Sequence, residues 1–203
     1  TAPPVSAAAV FTLTPMMAAG FGWLLLRQRM TARMAVALFV GATGALWVIF
    51  RADWESLRAF EVGRGEIGYF WGCVAHAAYI PMVPRLNRGE SPVEFTFGTL
   101  VAAAVVVALY GAGDIAATDW MALPRVVWIA LFYIAVVATS VTFILIQFAA
   151  LRLPAAKVMA YTFLVPSWVI CWEIALGRPA PPTLVLAGVG LTVVALLLLV
   201  KGE

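Results

Sequence analysis

The sequence predicts an all-α membrane protein, a polytopic helical bundle, and three observations predict it. The chain is 64% hydrophobic and 11% charged, with a mean hydropathy of +1.00, whereas soluble domains run nearer half apolar and a quarter charged. Seven apolar segments are long enough to cross a hydrocarbon core of about 30 Å, which takes roughly 17–25 residues. The two ends of the chain also share a layout: a proline-bearing apolar segment, a short turn, then a second apolar segment.

The segments are Val5–Leu26, Met34–Phe50, Ile67–Val83, Val93–Ala112, Val126–Ala150, Ala155–Leu176 and Thr183–Val200. Helices are the expected form, because open strands leave backbone amides unpaired in lipid. The connections are too short to hold a soluble domain. The N-terminus has neither a positive n-region nor an A-x-A site, so no cleavable signal peptide is expected. Net charge is +3, but no basic stripe tracks phosphates, so no nucleic-acid partner is expected. Cys73 and Cys171 fall inside apolar segments and read as packing residues.

Orientation follows from Lys and Arg placement. With the turn Arg27–Arg33 cytoplasmic, Arg27, Arg29, Arg33, Arg85, Arg88, Arg152, Lys157 and Lys201 lie inside. Arg51, Arg58, Arg64, Arg125 and Arg178 lie outside. The C-terminus is then cytoplasmic, and Trp54, Trp120 and Trp128 belong to the outer interface.

The repeat aligns Pro15 with Pro166, Leu13 with Leu164, Leu25 with Leu176 and Arg27 with Arg178; in the following segments Gly41 falls on Gly188. Repeats led by a broken helix are what transporters are built from. Segments three to five have no partners, so roughly 90 residues and three helices are expected before Thr1 by this symmetry. The expected architecture is an inverted repeat of five plus five helices, with seven visible. Residues 1–50 form the last two helices of the first repeat, 51–66 an external connection and 67–203 the second repeat.

Two stretches carry a resemblance. Gly68–Pro92 (GYFWGCVAHAAYIPMVPRLNRGESP) has a glycine-led helix, a mid-helix Ala-Tyr and a terminal arginine. The stretch FYIAVVATSVTFILIQFAALRLPAAKVMAYTFLVPSWVICW reads as a helix, a tight turn and a second helix. In order and spacing these resemble the EamA-type members of the drug/metabolite transporter superfamily. Members often carry a Gly-Glu pair shortly after the helix proline; here the neighbourhoods read Arg27-Gln28-Arg29 and Gly177-Arg178-Pro179. The resemblance implies secondary transport of small metabolites, often amino acids or related compounds, commonly outward.

No enzyme constellation is present in the sequence: it has one histidine, no Ser/His/Asp set, no Cys/His metal spacing and no phosphate loop. No catalytic residue, metal or cofactor is expected. The alternative to transport is a non-transporting membrane scaffold or assembly protein. His76 lies mid-segment with Tyr79 at i+3 on its face; it either meets substrate or a proton, or bonds a neighbouring helix. Thr139 and Thr142 share a face near Ser140 and Gln147, and either bond backbone carbonyls or line a pocket. Tyr161, Trp168 and Trp172 form an aromatic stripe, as packing or as a cavity wall. Thr14 joins the candidate substrate contacts. Pro15 and Pro166 free the carbonyls of Phe11 and Thr162, making these points candidate hinges. Glu173 is an interfacial anchor within reach of water or Arg178, and Glu94 is a solvated membrane-entry residue. Gly41-x-x-Gly44 and Gly188-x-Gly190 read as close-packing glycines. The expected partners are a small-molecule substrate and the lipid bilayer, as a monomer or homodimer; no coupling ion is legible.

Overall fold

The structure, a computed structural model, describes residues 4–50 and 63–200. The positions of Arg51, Trp54, Arg58 and Lys201 lie outside the described residues. Within them every regular element is helical. The described chain divides into two compact units, one drawn from residues 1–85 and 153–203, the other Leu86–Arg152.

The first unit begins with a broken helix, α1 (Pro4–Phe11) and α2 (Thr14–Leu26), followed by α3 (Ala32–Ile49) and α4 (Arg64–Leu86). The break has a simple cause. Pro15 has no N–H to give the Phe11 carbonyl, and its ring crowds the preceding turn. Leu13 therefore becomes the N-cap of a new helix with Pro15 in its first turn. Helix α2 ends on Arg27, which turns into the left-handed region at φ 54°. The Gln28 N–H then donates to the Gly22 carbonyl, a C-terminal motif usually built on glycine. Thr31 caps α3 by accepting from the Met34 N–H. Helix α4 begins at Arg64, three residues before the expected Ile67, and carries Pro81 and Pro84 inside it.

The second unit holds α5 (Pro92–Tyr110), a short α6 (Ala112–Ala117) and a 3₁₀ turn Trp120–Ala122 in what the sequence reads as a plain connection. A long rod, Arg125–Ala150, follows as α7 (Arg125–Tyr133), a π-helical stretch Ile134–Val141 and α8 (Thr142–Ala150). Ser91 and Glu94 form a reciprocal capping box at the start of α5. In the turn before it, the Arg88 N–H donates to Glu90 Oε2 at 2.6 Å. That bond holds the Glu90 carboxyl below its ordinary pKa. The Trp120 and Trp128 rings stand 6.1 Å apart.

The first unit resumes with α9 (Ala155–Val158), a 3₁₀ stretch Met159–Leu164 and α10 (Val165–Ala175), then α11 (Thr183–Val200). Leu164 is the N-cap of α10 and Pro166 sits in its first turn, the same arrangement as Leu13 and Pro15. The two broken helices run antiparallel: α1 lies against α10, and α2 against α9 and the 3₁₀ stretch.

Helices α3 and α11 also cross antiparallel, on glycines. A Cβ on Gly44 would lie 2.6 Å from the Gly188 carbonyl oxygen and 2.8 Å from Leu191 Cβ. A Cβ on Gly41 would meet Ala195, and one on Gly188 would meet Val48. The alignment of Gly41 with Gly188 also sets Val48 on Ala195 and Gly44 on Leu191. The two flanking contacts therefore exchange under the repeat, and the central one maps onto itself. Gly190 has no neighbour within 4 Å of its Cβ position, so the close-packing expectation holds for Gly188 and not for Gly190. Around the crossing lie two apolar clusters. One joins Met34, Leu38, Ala156, Phe163, Ala195 and Leu199; the other joins Ala9, Val48, Ile170, Val185 and Val189.

All seven expected segments are helical. Among the described residues, five helical spans are long and apolar enough to cross a membrane: Ala7–Leu26, Pro92–Tyr110, Arg125–Ala150, Ala155–Ala175 and Thr183–Val200. The apolar stretch of α3, Ala32–Val48, is shorter. Helix α4 has the length, at 23 residues, but its histidine, tyrosines and prolines dilute its hydropathy. Those diluting residues are the ones that matter next.

Candidate functional site

In the first unit, the break between α1 and α2 presents Phe11 to three other rings. Its centroid lies 5.8 Å from His76, 6.5 Å from Tyr69 and 6.5 Å from Tyr161. These side chains come from three places: the end of α1, the middle of α4 and the 3₁₀ stretch. Phe11 and His76 are half-buried, while Tyr69 and Tyr161 keep 43% and 39% of their surface open. The site is thus a patch of ring faces and edges with two phenol hydroxyls and one imidazole, the profile of a pocket wall that binds by shape and a few polar groups.

On α4, Tyr69, Cys73 and His76 recur at helical spacing along one stripe. Cys73 is buried beneath it, as a packing residue should be, but Cys171 is exposed and does not pack. Tyr79, at i+3 from His76, is half-buried on the same helix. Glu66, in the first turn of α4, is 9% exposed.

The sequence-predicted residues separate into groups. His76 and Tyr161 meet at Phe11. Trp168 and Trp172 do not join this ring cluster: they are 63% and 66% exposed, because the 3₁₀ stretch ending at Leu164 breaks the helical period that would put them in line with Tyr161. Thr14 is fully buried and its hydroxyl donates to the Phe11 carbonyl, so its polar atom serves the backbone. Pro15 and Pro166 are both buried in the first turn of a new helix.

Thr139 and Thr142 belong to the second unit. Thr139 lies in the π-helical stretch and Thr142 opens α8, both half-buried. A π turn is wider than an α turn, so residues three apart spread over a larger arc and the expected common face opens. Ser140 marks the widening, its hydroxyl donating to the Ala135 carbonyl five residues back at 2.8 Å. Gln147 is fully buried in α8. Glu173 is held by Arg178 at 2.7 Å, at the turn where the chain leaves α10.

Sequence reasoning missed Phe11 and Tyr69. Tyr69 was legible as the residue two turns before His76 on its stripe. Phe11 had been noticed only for its carbonyl, and no local pattern says where its ring points. Missed too was Gln28, whose Oε1 accepts from the Ala155 N–H at 3.1 Å; only the fold brings that pair together. Among the described residues no group of His, Cys, Asp or Glu is arranged to hold a metal.

Apolar helices long enough to span a bilayer, two of them broken at a proline, define an integral membrane protein. The chain belongs to the EamA-like transporter family, whose model matches residues 63–201. It is 25% identical over 179 residues to the uncharacterized transporter YyaM of Bacillus subtilis (strain 168), covering 87% of this chain. The chain spans 58% of that relative's length. No solved structure matches. That family is one of transporters.

Proposed function

We propose that this chain is the larger part of a secondary transporter that carries small metabolites, such as amino acids or related compounds, outward across a bacterial inner membrane. Transport proceeds by alternating access between two inverted repeats of five helices, with the C-terminus cytoplasmic. The observation that carries the reading is the placement of the aromatic cluster. Phe11, His76, Tyr69 and Tyr161 gather where the first broken helix changes direction, and the antiparallel second one breaks at the aligned leucine. A binding surface set on a break is coupled to any rocking of the half-helices about it.

In this scheme His76 and the two tyrosines supply hydrogen bonds, with Tyr79 one turn along. Phe11 and the tyrosine faces supply the wall. Pro15 and Pro166 are the hinges and Trp168 is a further contact for the substrate; Thr139 and Thr142, in the other unit, are separate candidate contacts.

Counterflow of labelled amino acids into liposomes containing the intact protein tests this. His76→Ala and Tyr161→Ala should each lower counterflow by about tenfold or more without lowering the amount of folded protein. Undiminished counterflow in both variants would remove the site; absence of counterflow in the unmodified protein across the amino-acid set would remove the substrate class.

A further inference from the structure

We propose that Thr14 is a positioning residue: its hydroxyl replaces the backbone donor that Pro15 lacks, and in doing so fixes the Phe11 ring at the hub of the aromatic cluster. Only the functional arm of this inference rests on the transport reading above.

In an unbroken helix the Phe11 carbonyl would receive the N–H of residue 15. Pro15 has none. A buried carbonyl needs a partner, and water does not reach this one's neighbours: Thr14 is 0% exposed and Pro15 is buried. The Thr14 hydroxyl donates to it. On the other side of the break the Thr12 hydroxyl donates to the Ala9 carbonyl at 2.6 Å. Two side-chain donors thus hold the backbone on either side of Leu13.

The ring that this backbone carries is the common member of the cluster, since each of its contacts with Tyr69, His76 and Tyr161 includes Phe11. Phe11 is also the last residue of α1. A change of backbone torsion there swings the Cα–Cβ bond and with it the ring. The second broken helix needs no hydroxyl for the equivalent task, because the Val165 N–H donates to the Thr162 carbonyl within the 3₁₀ stretch. A hydroxyl therefore serves the proline-abandoned carbonyl only at the first break; at the second, the Thr162 hydroxyl donates instead to the Met159 carbonyl at 2.9 Å. A direct contact between Thr14 and substrate is not compatible with its burial and its occupied proton.

His76 is the chain's single histidine, and its ring resonances, identified in the intact protein by their loss in His76→Gln, supply a reporter. The Phe11 ring, 5.8 Å from the imidazole, displaces the His76 ring resonances, and Phe11→Leu in the intact protein in micelles calibrates that displacement. Thr14→Val, close in shape but without a donor, should move the His76 signals toward the Phe11→Leu positions, and Thr14→Ser should return them. Pro15→Ala restores a backbone N–H to the Phe11 carbonyl, so the Thr14→Val/Pro15→Ala pair should again show the unmodified positions. That pair also serves if Thr14→Val alone fails to fold. Overturning results are His76 signals unmoved by Thr14→Val while Phe11→Leu moves them, or signals that stay displaced in the double variant. In counterflow with labelled amino acids, Thr14→Val should raise KM about fivefold with the maximal rate kept. An unchanged KM beside the expected His76 shifts would remove the ring cluster as the substrate site and leave the positioning role standing.

Discussion

The two proline-broken helices solve one problem with different chemistry. Each has a leucine N-cap and a buried proline in the first turn that follows, and each must find a donor for the carbonyl its proline abandons. The first breaks abruptly, α1 ending at Phe11, and a threonine hydroxyl makes the repair. The second tightens through the 3₁₀ stretch Met159–Leu164, and a backbone N–H makes it. Their far ends differ likewise. The first leaves α2 through Arg27 at φ 54°, the second leaves α10 through Gly177 at φ 78°. The first is tied across the unit, Gln28 accepting from the Ala155 N–H; the aligned positions of the second repeat, Pro179 and Pro4, offer neither a side-chain acceptor nor an N–H. The lesson is that a repeat conserves the place of a break more strictly than the means of making it.

The likeness is broken most severely at the α3–α11 crossing, where the repeat maps onto itself. Gly44→Val puts a side chain against the Gly188 carbonyl oxygen and should cost about 3 kcal/mol, seen as a lower unfolding midpoint of the intact protein in detergent. Gly190→Ala, into open space mid-helix, is the control and should stabilise by about 0.5–1 kcal/mol, the usual gain of alanine over glycine in a helix interior. The two helix ends come next. Gly177→Ala should destabilise by about 1 kcal/mol, because alanine resists positive φ. Arg27→Gly should stabilise by up to about 1 kcal/mol for the same reason; opposite signs in one melting series would confirm that the ends are alike in geometry and unlike in strain. Gln28→Ala should cost about 1 kcal/mol through the lost bond to Ala155, whereas Pro179→Ala should leave the midpoint in place. The smallest effect belongs to Glu173→Gln. Arg178 is 57% exposed, so solvent screening keeps the loss under about 1 kcal/mol, and a midpoint shift that vanishes in high salt would show it.

Much of this was legible beforehand because the signals are local. The helical segments followed from apolar run length, and the breaks from a proline's missing N–H at Pro15 and Pro166. The antiparallel fit of the two broken helices is what an inverted repeat with Leu13 on Leu164 requires. His76 stood out as an imidazole in an apolar run, and Tyr161 as an aromatic on the proline-bearing segment. Trp168 was placed with Tyr161 because a 3.6-residue period was carried through residues that adopt a 3₁₀ turn, and Thr139 with Thr142 because the same period was carried through a π turn. Periodicity arguments fail where the turn itself changes width.

By itself the sequence determined that the chain is helical, that it enters the bilayer, and where its helices must yield. Those properties depend on hydropathy and on single-residue backbone chemistry, which act over a few neighbouring residues. Tertiary structure alone decided that Phe11 would be the ring to which His76, Tyr69 and Tyr161 turn, and that Gln28 would reach Ala155. Each of those outcomes depends on which surfaces pack across long stretches of chain, and no local pattern of residues encodes the direction in which a buried side chain finds its partner.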